Sequence, residues 1–547
     1  MNRERHLRNY DLHSWSGIAL GLIVYVVVFT GCFALFRFEL QPWEDPAKRL
    51  PFVENPIEIN APFTHWVEEN AFGQPVDFAR ITYPTPLAPY FTGGMTVPMP
   101  TEGEIRDGDA PHGFITQRWD PKTGDRLPAR GAGLVEWLLD FHRDLMWPQG
   151  LGGRTVGRTL VGVVGIILML SILSGVIAHT KIFQELFTLR YFRSVRLKWQ
   201  DTHKVVGLWG LPFFAMISFT GAVLGVVAIL APIVALLTFK GDQEALFAAV
   251  IGAPVEAVGI EAPMLSVDKL AELREPNSGK PVSFIVMNNW RDQNARFDIY
   301  FPTDTELPLY EGYQIDGVTG ERIVDSQFEN LTLANAFVNA VSPLHYGNFG
   351  GKGLGSFALK SVYFLLGLAL AVITAFGLMM WVERRLHGNV GKRSEPIYRA
   401  IGHLTAGVCM GLPLATAAIF YLDKLYFGVE ASRLYWTGVT YFVVWGAGLA
   451  YAFYRRNDYL VTRELLLLSG ILFAGLPFLN AFATGTSLLT IFTAGNRVAQ
   501  YVDIVLMLSG LATLWVALLL PKQRSEKAPA KIDPTKTSTA RVLTPAE

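Results

Sequence analysis

The sequence predicts a polytopic α-helical membrane protein with eight spans, two extracytoplasmic α+β blocks and a parallel internal repeat in its first half. Three observations carry that prediction. Apolar residues make up 51% of 547 and charged residues only 17%, with mean hydropathy +0.29, which is too apolar for a soluble protein of this size. Runs of roughly 20 apolar residues recur along the chain. The histidine, threonine and glycine pattern around the first run returns almost two hundred residues later. The 47 basic and 47 acidic side chains cancel, so net charge gives no reason to expect nucleic acid as a partner.

The apolar runs lie near 14–37, 155–179, 204–236, 357–382, 398–421, 434–454, 464–484 and 499–520. The first follows Arg3, Arg5 and Arg8 but is too long for a signal-peptide core and has no small-x-small exit, so it reads as a retained span. The Thr30-Gly31-Cys32 sequence lacks the rest of a lipoprotein site. The third run contains Pro212 and Pro232, which predict a kink or an interfacial end. Lys181, Arg190, Arg193, Arg196 and Lys198, then Arg384, Arg385, Lys392 and Arg393, then Arg455, Arg456 and Arg463, then Lys522 and Arg524 fall on the same side as the N-terminal arginines. The positive-inside rule makes that side the cytoplasm, with both termini there.

The long connections 38–154 and 240–356 are therefore extracytoplasmic. In the second, 266–275 reads as a helix, followed by strands at 283–289, 295–301 and 310–316 with alternating, β-branched and aromatic residues. The first repeats this order, with a helix at 62–73 and strands near 80–83, 95–97 and 114–119. Both third strands run into an Asp-x-x-Thr-Gly turn, Asp120 to Gly124 and Asp316 to Gly320. The two cysteines, Cys32 and Cys409, lie in apolar runs, where neither a disulfide framework nor a thiolate metal site is expected. After residue 520 the chain is rich in Lys, Pro, Ser and Thr and reads as a disordered cytoplasmic tail.

Self-comparison marks four histidines. His13, Gly17, Phe29, Thr30 and Gly31 recur as His203, Gly207, Phe219, Thr220 and Gly221, and His142, Leu151 and Gly152 recur as His345, Leu354 and Gly355. Two parallel copies of span, exported block and span follow, related by a pseudo-twofold along the membrane normal. That symmetry sets His13 against His203 at the inner membrane edge and His142 against His345 at the outer edge. Facing imidazole pairs on neighbouring helices are how a bundle holds b-type haem with both axial positions filled, and no Cys-x-x-Cys-His points to covalent attachment. Taken singly, a helix-end histidine reads as an interfacial residue or a cap.

The residues that carry the pattern also carry a resemblance. The Leu12-His13-Ser-Trp15-Ser-Gly17, Phe141-His142-Arg-Asp144, Asp201-Thr-His203-Lys-Val-Val-Gly207 and Pro343-Leu-His345-Tyr-Gly347 segments resemble the four segments of the PepSY-associated transmembrane helix family, over roughly residues 5–390. The exported blocks look like PepSY domains. Members include dihaem inner-membrane siderophore reductases. The resemblance implies a ferric-chelate oxidoreductase with two b-type haems, iron ligated through His13, His203, His142 and His345. Electrons would pass from a cytoplasmic reductant or quinol to an iron(III) siderophore or other ferric chelate in the periplasm. The four spans at 398–520 depart from the simplest members and put the donor or partner in doubt.

His179 is the runner-up to His13 for the inner site, although its repeat counterpart is Trp381. His403 has no matched partner and reads as a satisfied helix-end histidine; His6, His65, His112 and His387 read as surface residues. Gly150, Gly152, Gly153 and Gly157 lack the preceding strand of a nucleotide fingerprint, while Arg154 and Arg158 suit either haem propionates or lipid headgroups. The cytoplasmic segments are too short for a flavin or nicotinamide domain. No residue of the exported blocks, Trp66, Trp290 and Arg291 included, is singled out as a substrate ligand. Two other functions compete: a PepSY binding module for a peptide or partner protein, anchored without redox activity, and a transporter, which lacks paired intramembrane carboxylates.

Overall fold

The computed structural model describes residues 3–97, 113–128, 130–179, 182, 186–187, 195–251, 255–303, 310–323, 333–347, 354–386 and 394–522. The tail beyond 522 lies outside the described residues, as do His112, His387, Lys181, Arg190, Arg193, Lys392, Arg393 and Arg524.

The first repeat runs through α1 (Arg3–Ala34), α2 (Arg37–Glu44), α3 (Asn60–Ala71), β1 (Val76–Thr82), β2 (Phe91–Val97), β3 (Gly113–Trp119), α4 (Leu134–Asp144) and α5 (Gly153–Ala178). The second runs through α6 (Val195–Trp209), α7 (Leu211–Thr238), α8 (Gln243–Ile251), α9 (Val267–Ala271), β4 (Phe284–Trp290), β5 (Arg296–Pro302), β6 (Tyr310–Asp316), β7 (Arg322–Ile323), α10 (Leu333–Tyr346) and α11 (Leu354–Leu386). Four further helices follow: α12 (Glu395–Leu425), α13 (Arg433–Arg455), α14 (Asp458–Thr484) and α15 (Val498–Leu519).

Seven helices among the described residues are long and apolar enough to cross a membrane: α1, α5, α7, α11, α12, α14 and α15. The eighth expected span, α13, forms as a 23-residue helix but is not among them. Its Tyr, Trp, Thr and Gly content lowers its hydropathy. The third run divides at Gly210, so that His203 stands on α6 and the span proper is α7. Pro212 lies in the first turn of α7, where its missing N–H costs nothing.

The two blocks expected between the spans are not separate. Their strands join in one antiparallel sheet of order β3-β2-β1-β4-β5-β6-β7, closed at the middle by β1 on β4. The register there pairs Ala79 with Met287, Ile81 with Ile285 and Val76 with Trp290. Since β4 is β1 displaced by a constant step, Ala79 faces its own repeat equivalent, which is the condition for a local twofold through the strand pair. Sequence patterning could not show this, because each block alone has edge strands of suitable alternation. Helices α3 and α9 cap each other across the same axis: Ile59 N–H and Asn60 N–H donate to the Asp268 carboxylate at 2.8 and 2.9 Å, and Val267 N–H donates to Asn60 Oδ1 at 2.9 Å. Both helices cover one face of the sheet, burying Phe63, Trp66, Val67 and Leu270 on Ala79, Ile81, Met95, Trp119, Ile285, Met287, Phe297 and Ile299.

Strand β2 is longer than its sequence suggests because Gly93 and Gly94, poor strand formers, are roofed by the Trp119 and Phe114 rings; a Cβ on Gly93 would stand 2.8 Å from the Trp119 ring. The two Asp-x-x-Thr-Gly turns superpose in their hydrogen bonds. Asp120 Oδ1 accepts from Lys122 N–H and Asp316 Oδ1 from Val318 N–H, while Gly124 (φ 76°) and Gly320 (φ 80°) return N–H to Asp120 and Asp316 carbonyls.

Within the bundle, α5 and α7 meet backbone to backbone at Gly162 and Gly225, where small residues permit the close crossing. The later helices wrap α1 and α2. Helix α12 has 78% of its apolar window buried, and Tyr25 of α1 donates to the Cys409 carbonyl at 2.7 Å. The Trp43 indole donates to Asp503 Oδ1 at 2.7 Å, and Asn480 donates to the other carboxylate oxygen at 2.8 Å. Both cysteines are free and buried.

On the sheet, Asp298 is 4% exposed, and burial pushes its carboxyl up to about 6 although Gln314 and Asn288 donate to it. A folded carboxyl that holds its proton longer than the unfolded one loses stability as pH rises from about 4 to about 6 and does not regain it above. Thermal melting of the detergent-purified protein should fall over that window. Asp298→Asn should flatten the fall and gain about 1–3 kcal/mol at pH 7; an unchanged pH slope would contradict the assignment.

Candidate functional site

Four imidazoles meet in two pairs. His13 on α1 and His203 on α6 have ring centroids 6.0 Å apart with planes at 71°; His142 on α4 and His345 on α10 are 6.2 Å apart at 20°. Along α1, 18 residues separate His13 from Gly31, the residue that backs His142. At 1.5 Å per residue this is about 27 Å, close to the thickness of a hydrocarbon core. The pairs therefore lie at opposite ends of the span, His142 and His345 on the side of the sheet.

All four rings lie against a neighbouring helix. His13 Nδ1 lies 2.8 Å from the Ser171 carbonyl, His203 Nδ1 2.8 Å from that of Ile373 and His142 Nδ1 2.8 Å from that of Val27; His345 Nδ1 lies 3.0 Å from Thr220 Oγ1, which itself stands 3.3 Å from the Ile217 carbonyl. Each carbonyl belongs to a neighbouring helix, and four residues beyond it stands a glycine: Gly175, Gly377, Gly31 and Gly221. A Cβ on these glycines would fall 3.0, 3.3, 2.7 and 3.0 Å from Cε1 of His13, His203, His142 and His345. The rings thus lie flush on helix backbone where only glycine leaves room.

A carbonyl oxygen only accepts, so Nδ1 of His13, His203 and His142 carries the proton and each neutral ring keeps its lone pair on Nε2. Thr220 does the same at His345. Its hydroxyl donates to the Met216 carbonyl at 2.8 Å and so accepts from His345 Nδ1–H at 3.0 Å. A histidine whose Nδ1–H is anchored on a carbonyl has the tautomer and orientation of a metal ligand through Nε2. Two metal–nitrogen bonds of about 2 Å, plus about 1 Å from each nitrogen to its ring centre, amount to roughly the centroid separations found here. Each pair supplies two donors, and no group of three His, Cys, Asp or Glu able to hold a metal occurs among the described residues. Two donors per pair suit a group that brings further donors of its own.

The other candidates are placed elsewhere. His179 caps the C-terminus of α5, one turn beyond Gly175, and is not the residue paired with His203. His403 is buried against Asp458 through Nδ1, joining α12 to α14. Arg154 pairs with Asp140 at 2.7 Å, and Asp140 also binds Arg143. In the sheet domain, Trp66 and Trp290 both belong to the core, and Trp290 also lines, with Arg291, Asn60, Thr64 and Glu68, a cleft of about 480 Å³. Arg291 is paired there with Glu68 at 3.2 Å and with Glu261.

The sequence reading found Gly31 and Gly221 but not Gly175 and Gly377. These match at nearly the displacement that relates His142 to His345, so extending the second self-match through α5 and α11 would have found them. The carbonyl four residues before each glycine carries no side-chain signal and needed the structure.

Comparison with known proteins follows the same boundaries. A protein of Pseudomonas aeruginosa described as uncharacterized is 28% identical over 350 residues, 62% of this chain and 84% of that protein. The model of the PepSY-associated TM region matches residues 10–384, which contain all four paired histidines and both halves of the sheet and end just before α12. The chain belongs to the PepSY-associated transmembrane family.

Proposed function

We propose that this protein is a dihaem transmembrane reductase that carries electrons across the bacterial inner membrane to iron(III) siderophores or other ferric chelates on the side of the sheet. The observation that carries the reading is a recurrent holding device: a glycine backs all four rings, Nδ1–H rests on a helix carbonyl in three of them and on the Thr220 hydroxyl in the fourth, and Nε2 is left as donor. His13 and His203 would hold the inner b-type haem and His142 and His345 the outer. Held between these histidines, a haem would supply one-electron transfer.

The chain's own part is positioning. The Nδ1 acceptors fix each imidazole's tautomer, so no ring rotation or proton loss has to accompany ligation. The glycines let the rings sit against helix backbone, and α1 sets the distance between the two pairs. The arginines and lysines at the end of the bundle remote from the sheet make that end cytoplasmic, and with it the side of the donor, a cytoplasmic reductant or quinol. One electron per iron releases the metal, because iron(II) binds the hard oxygen donors of a siderophore far more weakly than iron(III).

Two experiments test this. Protein reduced with dithionite and mixed anaerobically with a ferric hydroxamate should reoxidise, and His142→Ala or His345→Ala should slow that step by at least about tenfold, in the manner of losing an essential ligand. Reoxidation unaffected by either change would contradict the outer site. Gly175→Leu and Gly377→Leu should each remove the inner haem and spare the outer, and Gly31→Leu and Gly221→Leu the reverse, because the new side chain occupies the ring's place. Full haem content in all four would contradict the glycine cradles.

A further inference from the structure

The helices beyond the family region do something specific to one of the four histidines. Helix α4, which carries His142, rests its other face on α13. The Trp137 indole lies 4.2 Å from the Tyr441 ring, centroid to centroid, and Phe141 lies 5.4 Å from Tyr441, 5.7 Å from Phe442 and 6.2 Å from Trp445. Trp137 and Tyr441 are fully buried. Gly438 admits the indole, since a Cβ there would stand 2.9 Å from Trp137 Nε1. The chain leading into α4 is fastened to the same helices: Arg130 pairs with Asp423 at 2.9 Å, and Gly131 N–H donates to Glu430 at 3.2 Å.

The second repeat lacks this arrangement. At the displacement that carries His142 to His345, Trp137 and Phe141 become Ala340 and Leu344. Helix α10 packs instead on α7 and α8, with Phe337 6.4 Å from Phe219. Aromatic residues thus occur in the first repeat where the C-terminal helices reach it, and small or aliphatic ones stand at the equivalent places in the second.

We infer that α12 and α13 form a clamp that positions His142, and with it the outer pair, through the stack of Trp137 on Tyr441. Tyr441 and Trp137 are positioning residues: they act on the outer site through α4. The outer pair is thereby held asymmetrically, one ring by the added helices and the other by its own repeat.

The inference rests on the haem reading in only one of its two readouts. In the full-length protein, Tyr441→Ala and Gly438→Leu should shift the midpoint potential of the haem component that His142→Ala removes, and leave the other component unchanged. Tyr441→Phe, which keeps the ring, should behave as the unaltered protein. Independently of haem, the rate of diethyl pyrocarbonate modification, mapped by mass spectrometry, should rise several-fold at His142 in Tyr441→Ala and not at His13 or His203. Protein without haem would remove the proposed function yet leave this second readout to decide the clamp. Equal shifts in both components, or modification of His142 unaltered in Tyr441→Ala and Gly438→Leu, would overturn it. Should Tyr441→Ala fail to insert, Tyr441→Leu removes the ring at nearly constant apolar volume and serves the same comparison.

Discussion

An imidazole buried among helices must give its N–H to something, and here the acceptor lies on an adjacent helix beside a glycine: a main-chain carbonyl for His13, His203 and His142, and the Thr220 hydroxyl for His345. Much else in the first 386 residues follows from that constraint. The acceptor fixes the side of the helix that faces the ring, and the glycine fixes the distance of approach. The unused nitrogen of each ring is then available to the pair. The device is built at both ends of the bundle. Strands β1 and β4 pair about Ala79 and Met287, and α3 and α9 exchange caps across the same place. The sheet domain is therefore a cross-brace that ties the two halves together on the side of the His142–His345 pair.

The C-terminal helices break the symmetry. They contact α1, α2 and α4 of the first repeat through buried polar bonds as well as aromatic packing. Trp43 and Asn480 meet on the Asp503 carboxylate, and Arg49 donates to Thr484 Oγ1 at 3.0 Å. A buried carboxylate is tolerated at such a place only when donors surround it, so these bonds specify how the added unit docks. The addition begins where the family region ends, and it enlarges one wall of the bundle without adding a histidine pair.

How much of this was legible in the sequence depended on whether the signal lay in side chains. The repeat, the four histidines and the two Asp-x-x-Thr-Gly turns were legible, because each is a side-chain pattern at fixed spacing. So were the apolar runs, although α13 was counted as a span on length and its aromatic content leaves it outside the seven. Three features were not legible. The joining of two blocks into one sheet is decided by main-chain pairing between strands two hundred residues apart. The division of the third run at Gly210 turns on the local geometry before Pro212. The carbonyl acceptors of three of the rings leave no trace in residue type. His179, the runner-up for the inner site, caps α5 one turn beyond Gly175, while the His13 and His203 rings stand 6.0 Å apart.

The central claim is that two pairs of imidazoles are built to hold two haems. Its most direct test is the absorption spectrum of detergent-purified protein, oxidised and then dithionite-reduced, with haem quantified per chain. The account predicts two low-spin b-type haems per chain. Folded protein from iron-replete cells that carries no haem would contradict it.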